Sequence, residues 1–161
     1  FLEEQKRIRA QISPKHVEAA LRSLDKLATE ADRRGVLLGL ESRVNLQDFP
    51  DFDEFKILFK EFSGGPVRYW HDLGHATVQQ NLGLADQKEF LENFAELLAG
   101  VHLHGCKGYD DHYAPGSGGE DYGLLKKVLK PETLRVVEAH HRASQEELLR
   151  GLEFLREQGI S

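Results

Sequence analysis

The stretch RYWHDLGHATV, residues 68–78, decides how the chain is read. Val67, Tyr69 and Trp70 have the β-branched and aromatic character of a strand. The run then breaks into His71, Asp72, a glycine at 74 and His75. Such an ending marks either a polar loop after a strand or a metal site at a strand end. The flanking segments decide between the two.

Upstream, Ser13-Pro14 predicts a helix start, with Ser as N-cap and Pro at the first helical position. Val17, Ala20, Leu21, Leu24, Ala28 and Ala31 follow at helical spacing, and Gly35 suits the C-terminal cap. VLLGL, residues 36–40, is a continuous apolar run that ends at Glu41, as expected of a strand buried on both faces. Phe52–Phe62 reads as a helix, broken by GGP at 64–66 before the strand at Val67–Trp70. Downstream come a helix over Lys88–Leu98, a strand over Val101–Leu103 and an irregular glycine-rich stretch over 105–120. A helix at Tyr122–Leu129 and a strand at Leu134–Val137 lead to SQEE, residues 144–147. That capping box opens a last helix expected to bury Leu148, Leu149, Leu152 and Leu155.

A helix followed by four βα units predicts an α/β fold with a parallel sheet and right-handed crossovers. The candidates are an open doubly wound sheet or part of a (β/α)8 barrel, which needs roughly 250 residues. The chain has 161. No glycine-rich dinucleotide fingerprint or phosphate loop follows a strand, which argues against a nucleotide-binding open sheet. Nothing marks a linker, so residues 1–161 read as a single domain or fragment. A first residue of Phe and a complete lack of Met favour a fragment or processed chain.

Composition narrows the function classes. With 30% charged and 40% hydrophobic residues the chain has a globular profile. A net charge of -6 argues against a nucleic-acid partner, because phosphate binding wants a basic face. No run has membrane-span length. The single cysteine, Cys106, allows no intramolecular disulfide and fits a reducing cytoplasm; it is expected to be a packing residue.

The strand ends carry the chemistry. The first ends in Glu41; the second in Asp72, with His75 three residues on. The third carries His102 and His104, and the fourth ends in Glu138, followed by His140 and His141. Parallel α/β folds place their active sites at this end. A single acid there is usually a helix cap, but all four strands deliver an acid or an imidazole. An oxygen–nitrogen set without thiolate suits Mn²⁺, Zn²⁺, Mg²⁺, Co²⁺ or Fe²⁺. The metal-free alternative is an ion-pair network with Arg43 and Arg68. YDDHYAPGSGGEDYG, residues 109–123, adds Asp110 and His112 beside a tight Pro-Gly-x-Gly turn, as a substrate-facing flap or a second metal site.

Four features in this order are LGLES with Glu41, HDLGHA with Asp72 and His75, GVHLHG with His102, and DDHYAPGSG followed by VVEAH with Glu138. Together they resemble the xylose isomerase-like TIM barrels, the superfamily of sugar isomerases and epimerases that also contains endonuclease IV. The resemblance runs from about Pro14 to Gly159 and implies the C-terminal half of the barrel, strands five to eight. It implies a divalent metal ion held by Glu41, Asp72, His102 and Glu138. His102 keeps the register of the strand-seven motif, in which the family's acid is replaced here by Gly105, so His104 stands as a second candidate ligand. Members with more metals use the counterparts of His75, Asp110 and His112; the epimerases use those of His75 and His112 to hold substrate hydroxyls, and Arg43 joins them as a substrate-binding candidate.

The expected function is thus a sugar or sugar-phosphate isomerase/epimerase. Glu41 and Glu138 would move a proton next to a carbonyl through a metal-stabilised enediolate. The alternatives are a phosphodiesterase acting on abasic DNA and a metal-binding protein without catalysis. An N-terminal half-barrel or a second chain is expected as partner, because an open half-barrel leaves strand edges unpaired.

Overall fold

A computed structural model describes residues 2–160. Its elements in chain order are α1 (Leu2–Arg34), β1 (Leu38–Glu41), α2 (Phe52–Glu61), β2 (Val67–Asp72), α3 (Leu73–Asn81), α4 (Gln87–Phe94), β3 (Leu98–Leu103), β4 (Gly105–Lys107), β5 (Asp110–Tyr113), α5 (Tyr122–Lys126), β6 (Leu134–Val137) and α6 (Gln145–Gln158). β1, β2, β3 and β6 form a parallel sheet in that spatial order. β4 and β5 form a separate antiparallel hairpin. Parallel strands that neighbour each other in sequence order and are joined through helices are the arrangement of a half-barrel, as the sequence predicts.

Each strand divides its residues between two faces. Val67 and Tyr69 of β2 and Val101 and Leu103 of β3 point to the helices and are buried. There they meet an aromatic cluster in which Phe55, Phe59 and Phe94 pack about Tyr69, with ring centroids 5.1–6.2 Å apart. Tilted and edge-on contacts of this kind add to area burial. The other face would line a barrel lumen. Register sets Glu41 beside Trp70, and Asp72 beside His102. Trp70 lies across the sheet so closely that a Cβ on Gly100 would stand 2.3 Å from its ring. Leu134 and Val136 of β6 lie on this face and remain exposed.

Several segments differ from the sequence-based expectation. α1 does not begin at Ser13; it runs from Leu2 straight through Pro14. Ser13 gives its hydroxyl to Glu54 instead of capping, and Arg9 reaches Glu54 and Asp51. These ties to the start of α2 hold the first turns in line although Pro14 offers no N–H. α3 carries no amphipathic signal because Leu73–Val78 are all buried, so no polar face alternates with an apolar one. The helix expected to reach Leu98 ends at Phe94, and Leu98 already begins β3. The 105–120 stretch contains the β4–β5 hairpin. In α6 the capping box forms and Leu155 is buried, but Leu149 and Leu152 are 59% and 38% exposed. α6 follows the edge strand β6, and among the described residues no further βα unit covers its outer side.

One histidine belongs to the core. His71 is fully buried on the helix side, where its Nδ1 meets Tyr69 Oη at 2.7 Å and Gln87 lies beyond. Burial lowers its pKa to about 4, so the folded protein holds it neutral. Unfolded, it would take a proton below about 6.5. Its contribution is therefore complete above pH 6.5 and lost as pH falls toward about 4, by about 3 kcal/mol in all. Denaturant midpoints measured across this interval should fall less steeply for His71→Gln than for the wild type.

Candidate metal centre

Asp72 closes β2 and opens α3. Its Oδ1 accepts the His75 backbone N–H at 2.7 Å, an N-cap bond at a helix start. The same Oδ1 lies 2.8 Å from His104 Nε2, and the Asp72 N–H is held by Ser42 Oγ at 3.0 Å. These bonds leave Oδ2 facing the lumen, buried and without a hydrogen-bond donor.

Opposite that oxygen, His102 presents Nδ1 to three carboxylates. The distances are 2.7 Å to Glu41 Oε1, 2.9 Å to Glu138 Oε2 and 3.4 Å to Asp72 Oδ2. Glu41 and Glu138 come from the two outer strands, and Asp72 and His102 from the two central ones. One imidazole nitrogen can give one hydrogen. Asp72 Oδ2 and Glu138 Oε2 make no hydrogen bond. The four ligand atoms lie within 4.8 Å of one another. Neighbouring ligands around an ion at about 2.1 Å stand about 3.0–3.4 Å apart, and the spacings from His102 Nδ1, 2.7, 2.9 and 3.4 Å, lie close to the edges of such a shell. A divalent cation therefore fits this donor set. The ion-pair alternative does not gather enough charge: Arg43 pairs with Glu41 at 2.9 Å, but Arg68 turns to backbone carbonyls at the opposite strand end.

Electrostatics agree with the geometry. Burial alone would push the Asp72 carboxyl up, but the nearby imidazoles of His102 and His104 outweigh it and hold it well below the usual range. His102 is pushed up to about 9 by Asp72, against burial, with Glu41 and Glu138 adding to the effect. Three acids crowded on one site attract a positive charge.

The second group of sequence-predicted residues lies beside this centre. His75 points Nδ1 at the Ser42 carbonyl, 2.9 Å away, which leaves Nε2 as the acceptor facing Asp111 at 3.7 Å. His112 has a left-handed backbone, φ 62°, at the inner side of the hairpin. Its ring stacks between His104 and His140, with centroid distances of 4.2 and 3.8 Å, and its Nδ1 meets Asp111 at 2.7 Å. His104 is fully buried between Asp72 and the hairpin. Asp110 is not drawn in; it faces outward to Arg142 and the Tyr113 hydroxyl. Burial pushes the Cys106 thiol up to about 11, in keeping with a packing residue.

Ser42 and Asp111 go unmarked in the sequence, and His140 is named at the strand end without a role. Asp111 is the neighbour of the residue that was singled out, and the hairpin register together with the positive φ at His112 decides which of the two acids faces inward. Ser42 directly follows Glu41, a polar residue just past a strand end, and that was its only signal.

Among solved structures, the chain is similar to 3-keto-D-glucoside 4-epimerase, YcjR, from E. coli, in its apo form. The TM-score is 0.66 at 21% identity, covering 84% of this chain and 51% of that one. It is also similar to a D-tagatose 3-epimerase-like protein, with a TM-score of 0.65 at 20% identity over 88% and 54% of the two chains. At these identities the likeness is one of fold, and the parallel sheet of this chain corresponds to about half of each neighbour, a half-barrel. It spans about half the length of these two structures. No family model matches it, and no curated protein does.

Gly74 makes this centre possible. A Cβ there would lie 2.0 Å from His104 Cε1 and 2.3 Å from Nδ1. Gly74→Ala should displace the His104 ring and cost about 1–3 kcal/mol of stability, the usual penalty of overpacking. Chemical denaturation measures this; an unchanged midpoint would contradict the packing described.

Proposed function

We propose that the chain is the C-terminal half, strands five to eight, of a metal-dependent sugar or sugar-phosphate isomerase/epimerase barrel. The observation that carries this reading is the convergence of Glu41, Asp72 and Glu138 on His102 Nδ1. Glu41, Asp72, His102 and Glu138 would hold the ion. When bound, a divalent cation supplies the charge that polarises a ketose carbonyl and makes the adjacent C–H acidic enough to yield an enediolate.

The chain's own groups supply the rest. Glu41 and Glu138 enter from the two outer strands of the sheet, so a sugar carbon between them has a carboxylate on either side. One removes the proton and the other returns it. Arg43, 2.9 Å from Glu41, steadies that carboxylate at the site's rim and faces the substrate. His75, with its tautomer fixed by Ser42, offers Nε2 to a substrate hydroxyl, and His112 does so from the hairpin side. Similarity to a 3-keto-D-glucoside 4-epimerase and a D-tagatose 3-epimerase-like protein supports a small sugar as substrate. No described helix is long and apolar enough to cross a membrane.

The partner in this reading is a second half-barrel, either an N-terminal segment or another chain. β1 and β6 each have one side without a neighbouring strand, and Leu134 and Val136 lie open on the lumen face. Pairing those edges would cover the backbone groups that an open sheet exposes.

Two measurements test the proposal. With both half-barrels present, Glu138→Gln should slow deuterium exchange at the carbon next to a ketose carbonyl by at least about 10²-fold, the scale of general acid–base catalysis. Full activity in that variant would overturn the assignment. Removing metal with a chelator should lower the melting temperature, because an ion bound only by the folded state adds about 2.7 kcal/mol at a hundred times its dissociation constant. An unchanged melting curve after metal is restored would favour an ion-pair cluster instead.

A further inference from the structure

We propose that His104 is a positioning residue, a clamp that orients the metal-binding carboxylate of Asp72 and fastens the β4–β5 hairpin to it. The role builds on the metal-centre reading above. Both ring nitrogens are committed. His112 donates its backbone N–H to His104 Nδ1 at 2.9 Å, and a backbone amide can only donate. Nδ1 therefore carries the lone pair, and the ring hydrogen sits on Nε2. From there it is given to Asp72 Oδ1, 2.8 Å away.

Two consequences follow for the site. Oδ1 of Asp72 already receives the His75 N–H at 2.7 Å, so the second donor fixes the carboxylate's rotation and leaves Oδ2 pointing into the lumen. The hairpin is seated by the same ring. His104 holds the His112 amide, its face stacks on the His112 ring at 4.2 Å and 6°, and the His140 N–H holds the His112 carbonyl at 2.9 Å. This accounts for a non-glycine residue with φ 62° at that place. Although His75, His104 and His112 present nitrogens close together, His104 has none left to offer an ion. Its recess exists only because residue 74 lacks a side chain.

The two bonds can be separated. In His104→Gln the amide nitrogen reaches the place of Nε2 and keeps the bond to Asp72. In His104→Asn the amide oxygen takes the place of Nδ1 and keeps the bond from the His112 amide. His104→Ala keeps neither. Mn²⁺ binding is measured by calorimetry, His112 amide exchange by NMR, and the wild-type ring tautomer by its ¹⁵N shifts. The Gln variant should hold Mn²⁺ within about threefold of wild type, whereas Asn and Ala should lose about 10–100-fold, as loss of a ligand's supporting hydrogen bond does. Exchange at His112 should stay slow in Asn and speed up in Gln and Ala. A merely structural histidine would make both readouts follow overall stability. Equal Mn²⁺ affinity in the Asn and Gln variants, or a wild-type ring protonated on Nδ1, would overturn the proposal. A wild type that takes up no Mn²⁺ would overturn the metal-centre reading itself, and the tautomer and exchange readouts would then decide the clamp alone.

Discussion

One carboxylate does two jobs here, and the centre depends on their being compatible. Asp72 Oδ1 caps α3 and accepts from His104; Oδ2 faces three other groups that could hold an ion. A helix start draws a negative oxygen to its free N–H groups, and a cation bound at the site would draw one to the lumen. A carboxylate has an oxygen for each. The cap therefore does not compete with the site; it aims it. A substitution that preserved charge but moved the carboxylate one bond outward would lose one of the two fits.

The second constraint is topological. A parallel sheet brings the C-terminal ends of its strands to one rim, and strand order then decides who meets whom. With β1 and β6 outermost, the two glutamates flank the aspartate and histidine instead of lying side by side. The lumen face is sparing below that rim, where glycine at 100 lets Trp70 lie flat beneath the ligands and edge onto His102 at 5.1 Å. An indole against the imidazole limits water on one side of the site and raises the value of each charge interaction.

Around the ligands, histidines divide by what their nitrogens already bind. His71 is consumed by the core, and His104 by Asp72 and the hairpin. His75 and His112 each keep a ring nitrogen that no neighbour holds in a direct hydrogen bond, and both border the centre. Residue type alone does not separate these roles. The partner of the other nitrogen does, because it fixes the tautomer and so decides whether the remaining position gives or accepts.

By itself the sequence determined the alternation of helices and strands, and with it the parallel sheet. Apolar runs such as VLLGL and the capping box at Ser144 encode short-range physics that survives in the fold. It also determined which residue types stand at the strand ends, since Glu41, Asp72, the pair His102 and His104, and Glu138 were legible from their places beside apolar runs, while the choice of His102 rested on the family resemblance. Tertiary structure decided the rest. Pro14 sits within a helix because Arg9 and Ser13 find a partner in Glu54, 45 and 41 residues away. α3 escaped notice because burial on all sides erases periodicity. Asp111 rather than Asp110 faces the site because a hairpin register and one left-handed residue set the direction, and neither is a property of composition. Local sequence carries backbone preference and hydrophobic period; the aim of a side chain, and what its far atom touches, depend on contacts made across the chain.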